Sequence, residues 1–217
     1  MSHKQGKRLS HAVVERLMHY YYFIGEQITE DTDGAVSSAE LARLLEMDDT
    51  QVRKDLASIG VRGQPRKGFQ NAEVLTAIRR ELGFNFRYDA IVLGAGRLGG
   101  AIVSYGGFNH FGLKIIALFD DDPSRTGEVI GGTLVHHIDE LERFIERHDV
   151  HLAILTVPHE AAQPLADRLV KSGITGIWNF APTRIEVPEH VHVRHEHIAV
   201  GLAQLAYYLK PGPDAPA

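Results

Sequence analysis

The chain has 217 residues, 44% of them hydrophobic and 24% charged, with 28 Asp and Glu against 23 Lys and Arg for a net charge of −5. This is the composition of a globular protein of one or two domains and excludes a disordered or low-complexity chain. No cysteine is present, which excludes disulfides, zinc-thiolate clusters and thiol redox sensing.

The longest apolar runs, Ile115 to Phe119 and Leu152 to Val157, fall far below the roughly 20 residues that cross a bilayer. The N-terminal segment also lacks the apolar core of a signal peptide, so a cytoplasmic protein with no membrane partner is expected. Charge is unevenly spread. In Gln51–Gly68 the cations Arg53, Lys54, Arg62, Arg66 and Lys67 face one acid, Asp55, a local +4. A basic segment in an acidic chain points to a polyanionic partner.

Val14, Leu17, Met18, Tyr21, Ile24 and Ile28 recur at helical spacing and predict a first helix over 11–29, ended by the polar run from Thr29 to Ala35. Ser37-Ser-Ala-Glu40 is a capping box opening a second helix with Leu41, Leu44 and Leu45 inward. Asp48 or Asp49 then caps a third helix, 50–58, whose Val52, Leu56 and Ile59 share a face while Thr50, Arg53, Lys54 and Ala57 turn outward. Two short helices around a tight turn, the second cationic on its outer face, are the plan of a helix-turn-helix. The glycines and proline of Gly60–Phe69 favour a hairpin wing that carries Arg62, Arg66 and Lys67 to phosphates or the minor groove. Asn71 is read as the cap of a fourth helix with Val74, Leu75, Ile78 and Leu82 inward.

Tyr88–Leu93 reads as a strand, followed by Gly94-Ala95-Gly96-Arg97-Leu98-Gly99 and a helix running through Val103 and Tyr105. Gly94 permits the tight turn, Gly96 the close approach of a pyrophosphate, and Gly99 the packing of helix on strand. A second strand, Lys114–Phe119, ends at Asp120, placed to accept the hydroxyls of an adenosine ribose. That carboxylate, with Asp121 and Asp122 beside it, repels a 2′-phosphate and selects NAD(H), Arg125 being the one dissenting neighbour.

Helix 138–147, strand 151–156, helix 159–172 and strand 174–179 complete a doubly wound parallel sheet. The loops Thr156-Val157-Pro158 and Asn179-Phe180-Ala181 should then border the crevice beyond the strand ends. His159 is the best candidate base there, and a histidine at a helix start is more often a cap. His136-His137 and His190, His192, His195 and His197 lack a carboxylate spacing that completes a metal site, so neither metal nor catalysis is expected. The last helix, 197–210, carries Ile198, Leu202, Leu205 and Leu209 on one stripe beside Tyr208, ahead of Pro211-Gly-Pro, and must dock on its own sheet or on a second subunit.

A winged helix followed by an NAD fold is more specific than either part, and the chain resembles the Rex family of redox-sensing transcriptional repressors. The likeness spans about Val13 to Leu209 and is carried by VSSAELARLL, QVRKDL, GAGRLG, FDDDPSRTG, LTVPHEAAQ, NFAPTRIEVP and VGLAQLAYYL. It implies a winged-helix domain over 1–84, a Rossmann-like NAD(H)-binding domain over 85–195 and a swapped dimerisation helix with its tail over 196–217. It further implies a homodimer on a palindromic operator, DNA-bound with NAD+ and released by NADH.

By motif, Gln51, Arg53 and Lys54 are recognition-helix residues with Ser37 and Ser38 near the DNA backbone. Gly94 to Gly99 hold the pyrophosphate, Asp120 the ribose, and Thr156–Pro158 with Asn179–Ala181 border the nicotinamide. The family's wing begins YFG and ends in Gly-Tyr, where this chain has Ser58-Ile59-Gly60 and Gly68-Phe69. Its switch pairs a tyrosine, here Tyr105 of Tyr105-Gly-Gly-Phe108, with an Asp whose place is taken by His197. The contrary reading is a small NAD-dependent dehydrogenase or CoA-binding ligase-like subunit, marked by turnover dependent on His159 or by CoA affinity above that for NADH.

Overall fold

A computed structural model describes residues 9–27 and 34–209, apart from the side chains at 27, 198 and 204. Ile28, residues 29–33, the first eight residues, Lys210, the Pro211 tail and the Ile198 side chain lie outside the described residues. The chain divides into two compact units, Met1–Phe86 and Arg87–Ala217.

The first unit holds α1 (His11–Gln27), β1 (Ala35–Val36), α2 (Ser38–Leu44), α3 (Asp49–Ser58), β2 (Phe69–Gln70) and α4 (Asn71–Glu81). Its core gathers Leu17, Tyr20 and Ile24 of α1, Leu41 of α2, Val52 and Leu56 of α3, and Val74 and Ile78 of α4, under Val36, Val61 and Phe69. The β1–β2 pair, Val36 opposite Phe69, ties the base of the wing to the start of α2.

Leu44 and Asn71 depart from the roles that their spacing suggests. Leu44 is 43% exposed: the buried stripe of α2 runs through Ser38, Leu41 and Ala42, and at 100° per residue Leu44 lies well to one side of it. Asn71 is the first residue of α4 rather than its cap. Gln70 holds the cap position without a side-chain bond, and Asn71 is buried with Oδ1 unpartnered.

The second unit holds β3 (Tyr88–Leu93), α5 (Arg97–Ser104), β4 (Leu113–Asp120), β5 (Val129–Ile130), β6 (Thr133–His137), α6 (Leu141–His148), β7 (Leu152–Leu155), α7 (His159–Lys171), β8 (Gly176–Asn179), β9 (His192–His195) and α8 (Ile198–Leu209). The sheet order is β5-β6-β4-β3-β7-β8-β9. Only the β5–β6 hairpin is antiparallel.

Both faces are covered, which is why the strands read as unbroken apolar runs. Ile91, Leu93 and Phe119 meet α6 and α7 on one face, and Val92, Leu118 and Ile154 meet Ile102 of α5 on the other. The β5–β6 hairpin and β9 were not foreseen: they lie toward the two ends of the sheet, and the histidines and arginine of Thr133–His137 and His192–His195 break the apolar run that marks β3, β4 and β7. Helix α5 ends at Ser104, so Tyr105 lies outside it in extended backbone, ahead of a 3-10 turn over Gly106–Phe111.

Along α8, Leu202, Leu205, Tyr207, Tyr208 and Leu209 are all more than half exposed. Docking of this stripe on the chain's own sheet is thereby corrected: its described apolar side chains stay in solvent.

Candidate functional site

The first unit presents a cleft of about 710 Å³ between the N-terminal end of α2, Arg53 and Ala57 of α3, and the wing from Val61 to Phe69. The wing closes through Gln64 N–H to the Gly68 carbonyl at 2.8 Å and Gly68 N–H to the Gln64 carbonyl at 3.1 Å. Its tip is Pro65-Arg66-Lys67, and Arg62, Arg66 and Lys67 are all exposed. Gly68 sits at φ +79, where an added Cβ would come 2.5 Å from the Val36 carbonyl oxygen. Arg66 holds a left-handed φ of 64°, conformational strain in a residue that would be better as glycine there. Arg66→Gly should therefore leave thermal stability equal or slightly higher while weakening duplex binding and lowering its salt slope by about one per protomer. An anisotropy salt series checks this, and an unchanged slope would mean that Arg66 touches no phosphate.

The capping box is complete: the Ser37 amide and hydroxyl both donate to Glu40 Oε2 at 2.7 Å, and the Glu40 amide donates back at 3.2 Å. The backbone bond from Ser37, with that from its hydroxyl, holds the Glu40 carboxyl below the usual range. Asp48 caps α3 through the Thr50 amide at 2.6 Å. Of the recognition residues, Lys54 is exposed. Arg53 donates Nε to Ser38 Oγ at 3.2 Å and pairs with Asp49. Gln51 donates Nε2 to Asp55 Oδ1 at 2.8 Å, one turn further along α3, so its amide is committed to that buried carboxylate.

Sequence reasoning missed the centre of this arrangement. Asp55 is 2% exposed and accepts from Arg16 Nε and Nη2 at 2.6 and 2.7 Å, from the Tyr20 hydroxyl at 3.0 Å, and from Gln51. Burial pushes its carboxyl up, but these three partners outweigh that and leave it below the ordinary value. The signal in the sequence was a lone acid among five cations.

In the second unit the register sets Phe119, Leu93, Leu155 and Asn179 abreast, so the residues that follow, Asp120, Gly94, Thr156 and Phe180, form one row along the carboxyl edge. This is the switch point of the sheet, where β3 lies between β4 and β7. Gly94 turns at φ +95 with its amide on the Phe119 carbonyl. The Thr156 hydroxyl donates to the Leu93 and Gly94 carbonyls at 2.9 and 2.8 Å. A Cβ on Gly94 would meet the Thr156 carbonyl oxygen at 2.7 Å, and one on Gly99 would overlap the Gly94 carbonyl oxygen. A Cβ on Gly96, the cap of α5, would meet nothing within 4 Å. The loop is thus packed tight on its inner side and open on its outer side, where the first amides of α5, including those of Arg97 and Leu98, have no side-chain cap. This fits a pyrophosphate.

Asp120 does more than the sequence suggested, since Oδ2 accepts the Ala95 amide at 2.7 Å and Oδ1 the Asp122 amide at 3.0 Å, tying the glycine loop to β4. Arg125 pairs with Glu128 at 3.3 Å, so the one cation near the ribose edge is neutralised. Val157 is half-buried and Pro158 exposed. His159 is the exposed first residue of α7, with Pro158 at the cap position.

Asn179 and Ala181 are fully buried and offer no side chain to a ligand. The Asn179 amide nitrogen bonds the Thr183 carbonyl at 2.7 Å and His195 Nδ1 at 3.0 Å, and its oxygen accepts the Ala181 amide at 3.0 Å. Burial, with Arg184 and His197 nearby, holds the His195 imidazole below its ordinary value. Only Phe180 of that loop keeps an accessible side chain.

Tyr105 and His197 are both exposed, and among the described residues no hydrogen bond joins them. Tyr105 instead begins an aromatic row: its ring meets Phe108 at 4.9 Å, Phe108 meets Trp178 at 5.7 Å, and Trp178 meets Phe180 at 4.7 Å. Trp178 Nε1 donates to Glu196 at 3.2 Å. His136 and His137 lie within reach of Glu140 and Asp139. Among the described residues no group of three or more His, Asp or Glu converges as a metal site.

Comparison with known proteins divides the chain the same way. Residues 8–57 match the family described as "Putative DNA-binding protein N-terminus" and residues 85–183 the family described as "CoA binding domain". The redox-sensing transcriptional repressor Rex of Clostridium beijerinckii is 37% identical over 203 residues, 94% of this chain and 96% of that protein. Among solved structures, RSP, a Rex-family repressor, in complex with NAD+ and operator DNA superposes with a TM-score of 0.86 at 34% identity, covering 94% of this chain and 93% of that one. RSP in complex with NADH superposes equally, at 33% identity over 94% and 95%.

Proposed function

The chain belongs to the Rex family of redox-sensing transcriptional repressors, and from that premise we propose that it binds palindromic operator DNA through paired winged helices and leaves it when NADH binds. Its cofactors are NADH and NAD+, and its output follows their ratio. The observation that carries this reading is the presence, in one chain, of a basic winged-helix cleft and a glycine loop open to a pyrophosphate at the carboxyl edge of the sheet. RSP, matched over nearly its whole length, has been solved with NAD+ and operator DNA together.

The work divides as DNA binding by residues 1–84, NAD(H) binding by 85–195 and dimerisation by 196–217. Ser37, Arg53 and Lys54 face the duplex, with Arg62, Arg66 and Lys67 reaching from the wing, while Ser38 and Gln51 act through their bonds to Arg53 and Asp55. The amides of Gly96 to Leu98 hold the pyrophosphate. Asp120 keeps that loop in place and disfavours a 2′-phosphate, with Arg125 already neutralised by Glu128. Thr156 to Pro158 and Phe180 border the nicotinamide. NADH acts as an effector, binding the DNA-incompetent arrangement more tightly than the competent one.

We read the chain as a regulator rather than an enzyme: its relatives are transcriptional repressors, and His159, the candidate base, is an exposed helix start. Cytoplasmic placement suits a sensor of the nicotinamide pool. No described helix is long and apolar enough to cross a membrane.

The exposed stripe of α8 is the homodimer contact, with Tyr105 and His197 the switch pair between subunits. Leu202→Glu with Leu205→Glu should convert the dimer to a monomer by light scattering and abolish palindrome binding. A dimer that survives both changes would place the interface elsewhere.

The reading is tested by anisotropy of a labelled palindromic duplex titrated in parallel with NADH, NAD+ and NADPH at fixed salt. Release by NADH alone is expected. Binding indifferent to all three would overturn the redox reading.

A further inference from the structure

Resting on the DNA-binding reading, we infer that Asp49, an acid inside the basic interface, is a positioning residue that fixes Arg53 so that it selects guanine. Asp48 already caps α3 through the Thr50 amide, so the cap does not require the neighbouring carboxylate. Asp49 instead faces Arg53 one turn on, and the two side chains are 37% and 57% exposed. An ion pair so open to solvent contributes little to stability. Its consequence is orientation.

The guanidinium has five N–H donors in a rigid fork. Nε is taken by Ser38 Oγ on α2, a residue 9% exposed, and one hydrogen of Nη2 by Asp49 on α3. The two hydrogens of Nη1 and the second of Nη2 remain. These form the end-on fork that matches O6 and N7 of guanine in the major groove. Clamped on one edge by both helices of the motif, Arg53 has lost rotamers before DNA arrives. The Asp49 charge also repels phosphates, which discourages Arg53 from swinging to the backbone on unrelated sequences. Asp49 thus lowers binding to DNA in general and sharpens the choice among sequences.

The full-length protein, Asp49→Ala, Asp49→Asn and Arg53→Ala are each used to select from a duplex pool with a randomised core of about two helical turns. Each is then bound to the unselected pool across a salt series. The unsubstituted protein is expected to enrich guanine at one position per half-site. Asp49→Ala should lose that preference by about tenfold per half-site, yet bind the unselected pool more tightly, with a log-log salt slope steeper by about one per protomer. Asp49→Asn, close in volume and still able to accept from Arg53, should fall between the two. Arg53→Ala should lose the same preference and bind the unselected pool more weakly.

The opposite signs on unselected DNA separate positioning from a damaged fold, which would weaken both variants alike. Asp49→Ala that keeps the guanine preference, or weakens all duplexes equally, would overturn the inference. An unsubstituted protein that binds no duplex would remove the DNA-binding reading and this inference with it.

Discussion

Arg16→Ala is expected to destabilise the N-terminal unit by about 3–5 kcal/mol at pH 7, the cost of leaving one member of a buried ion pair alone. Asp55 is 2% exposed and takes two of its four hydrogen bonds from Arg16. Without the guanidinium, the Tyr20 hydroxyl and the Gln51 amide alone face a buried negative charge. The loss is large beside the 5–15 kcal/mol that holds a typical domain.

The pH dependence has a definite sign. In the unsubstituted protein the Asp55 carboxyl lies below its ordinary value, Arg16, Gln51 and Tyr20 together outweighing burial. The stabilisation this gives is present above the unfolded carboxyl pKa, near 3.9, and is lost as pH falls through the lower folded value. In Arg16→Ala burial prevails and the folded carboxyl rises. Protonation then relieves the variant first, and the stability difference should shrink as pH is lowered. Urea unfolding followed at pH 7 and at weakly acidic pH checks both statements. A deficit under about 1 kcal/mol at pH 7 would mean the pair is an ordinary surface contact.

Gly99→Ala is the second large effect. Its Cβ would overlap the Gly94 carbonyl oxygen and stand 2.8 Å from the Thr156 hydroxyl. The first of these is backbone that cannot rotate away, so the loop or α5 must shift, at about 1–3 kcal/mol of stability. NADH affinity should fall at least tenfold, and NADH should no longer release DNA, while binding to the duplex itself persists. Gly96→Ala is the contrast, because its Cβ meets nothing within 4 Å. Stability should hold and only NADH binding should suffer, since the methyl stands where the pyrophosphate approaches. Thermal unfolding beside an NADH titration separates the two variants. Equal NADH binding by Gly96→Ala and the unsubstituted protein would move the ligand away from this loop.

The helix-turn-helix was legible because its signals are local: a capping box at Ser37 and Glu40, a cap at Asp48, and three apolar residues on one face of α3. The glycine loop was legible because two of its glycines answer separate steric demands, Gly94 the left-handed turn and Gly99 the close packing on the Gly94 carbonyl. What escaped was long-range. Asp55 counted as one charge among six, and only the fold brings Arg16, 39 residues away, against it. Asn179 ends β8, and nothing local shows that its amide is consumed by Thr183 and His195. Asp120 was placed correctly at the end of β4, while its bond to the Ala95 amide depends on strand register. The Leu44 error came from reading every leucine of a short helix as core, where Ser38 and Ala42 fill the stripe.

If NADH and operator DNA compete through the protein's conformation, each must weaken the other's binding. The dissociation constant for NADH is measured with the free protein and again with the protein saturated by its selected palindromic duplex. DNA is expected to weaken NADH binding by the same factor by which NADH weakens DNA binding, typically 5–150-fold. An NADH affinity unchanged by DNA would contradict it, leaving a DNA-binding unit and a nucleotide-binding unit that share a chain without sharing an equilibrium.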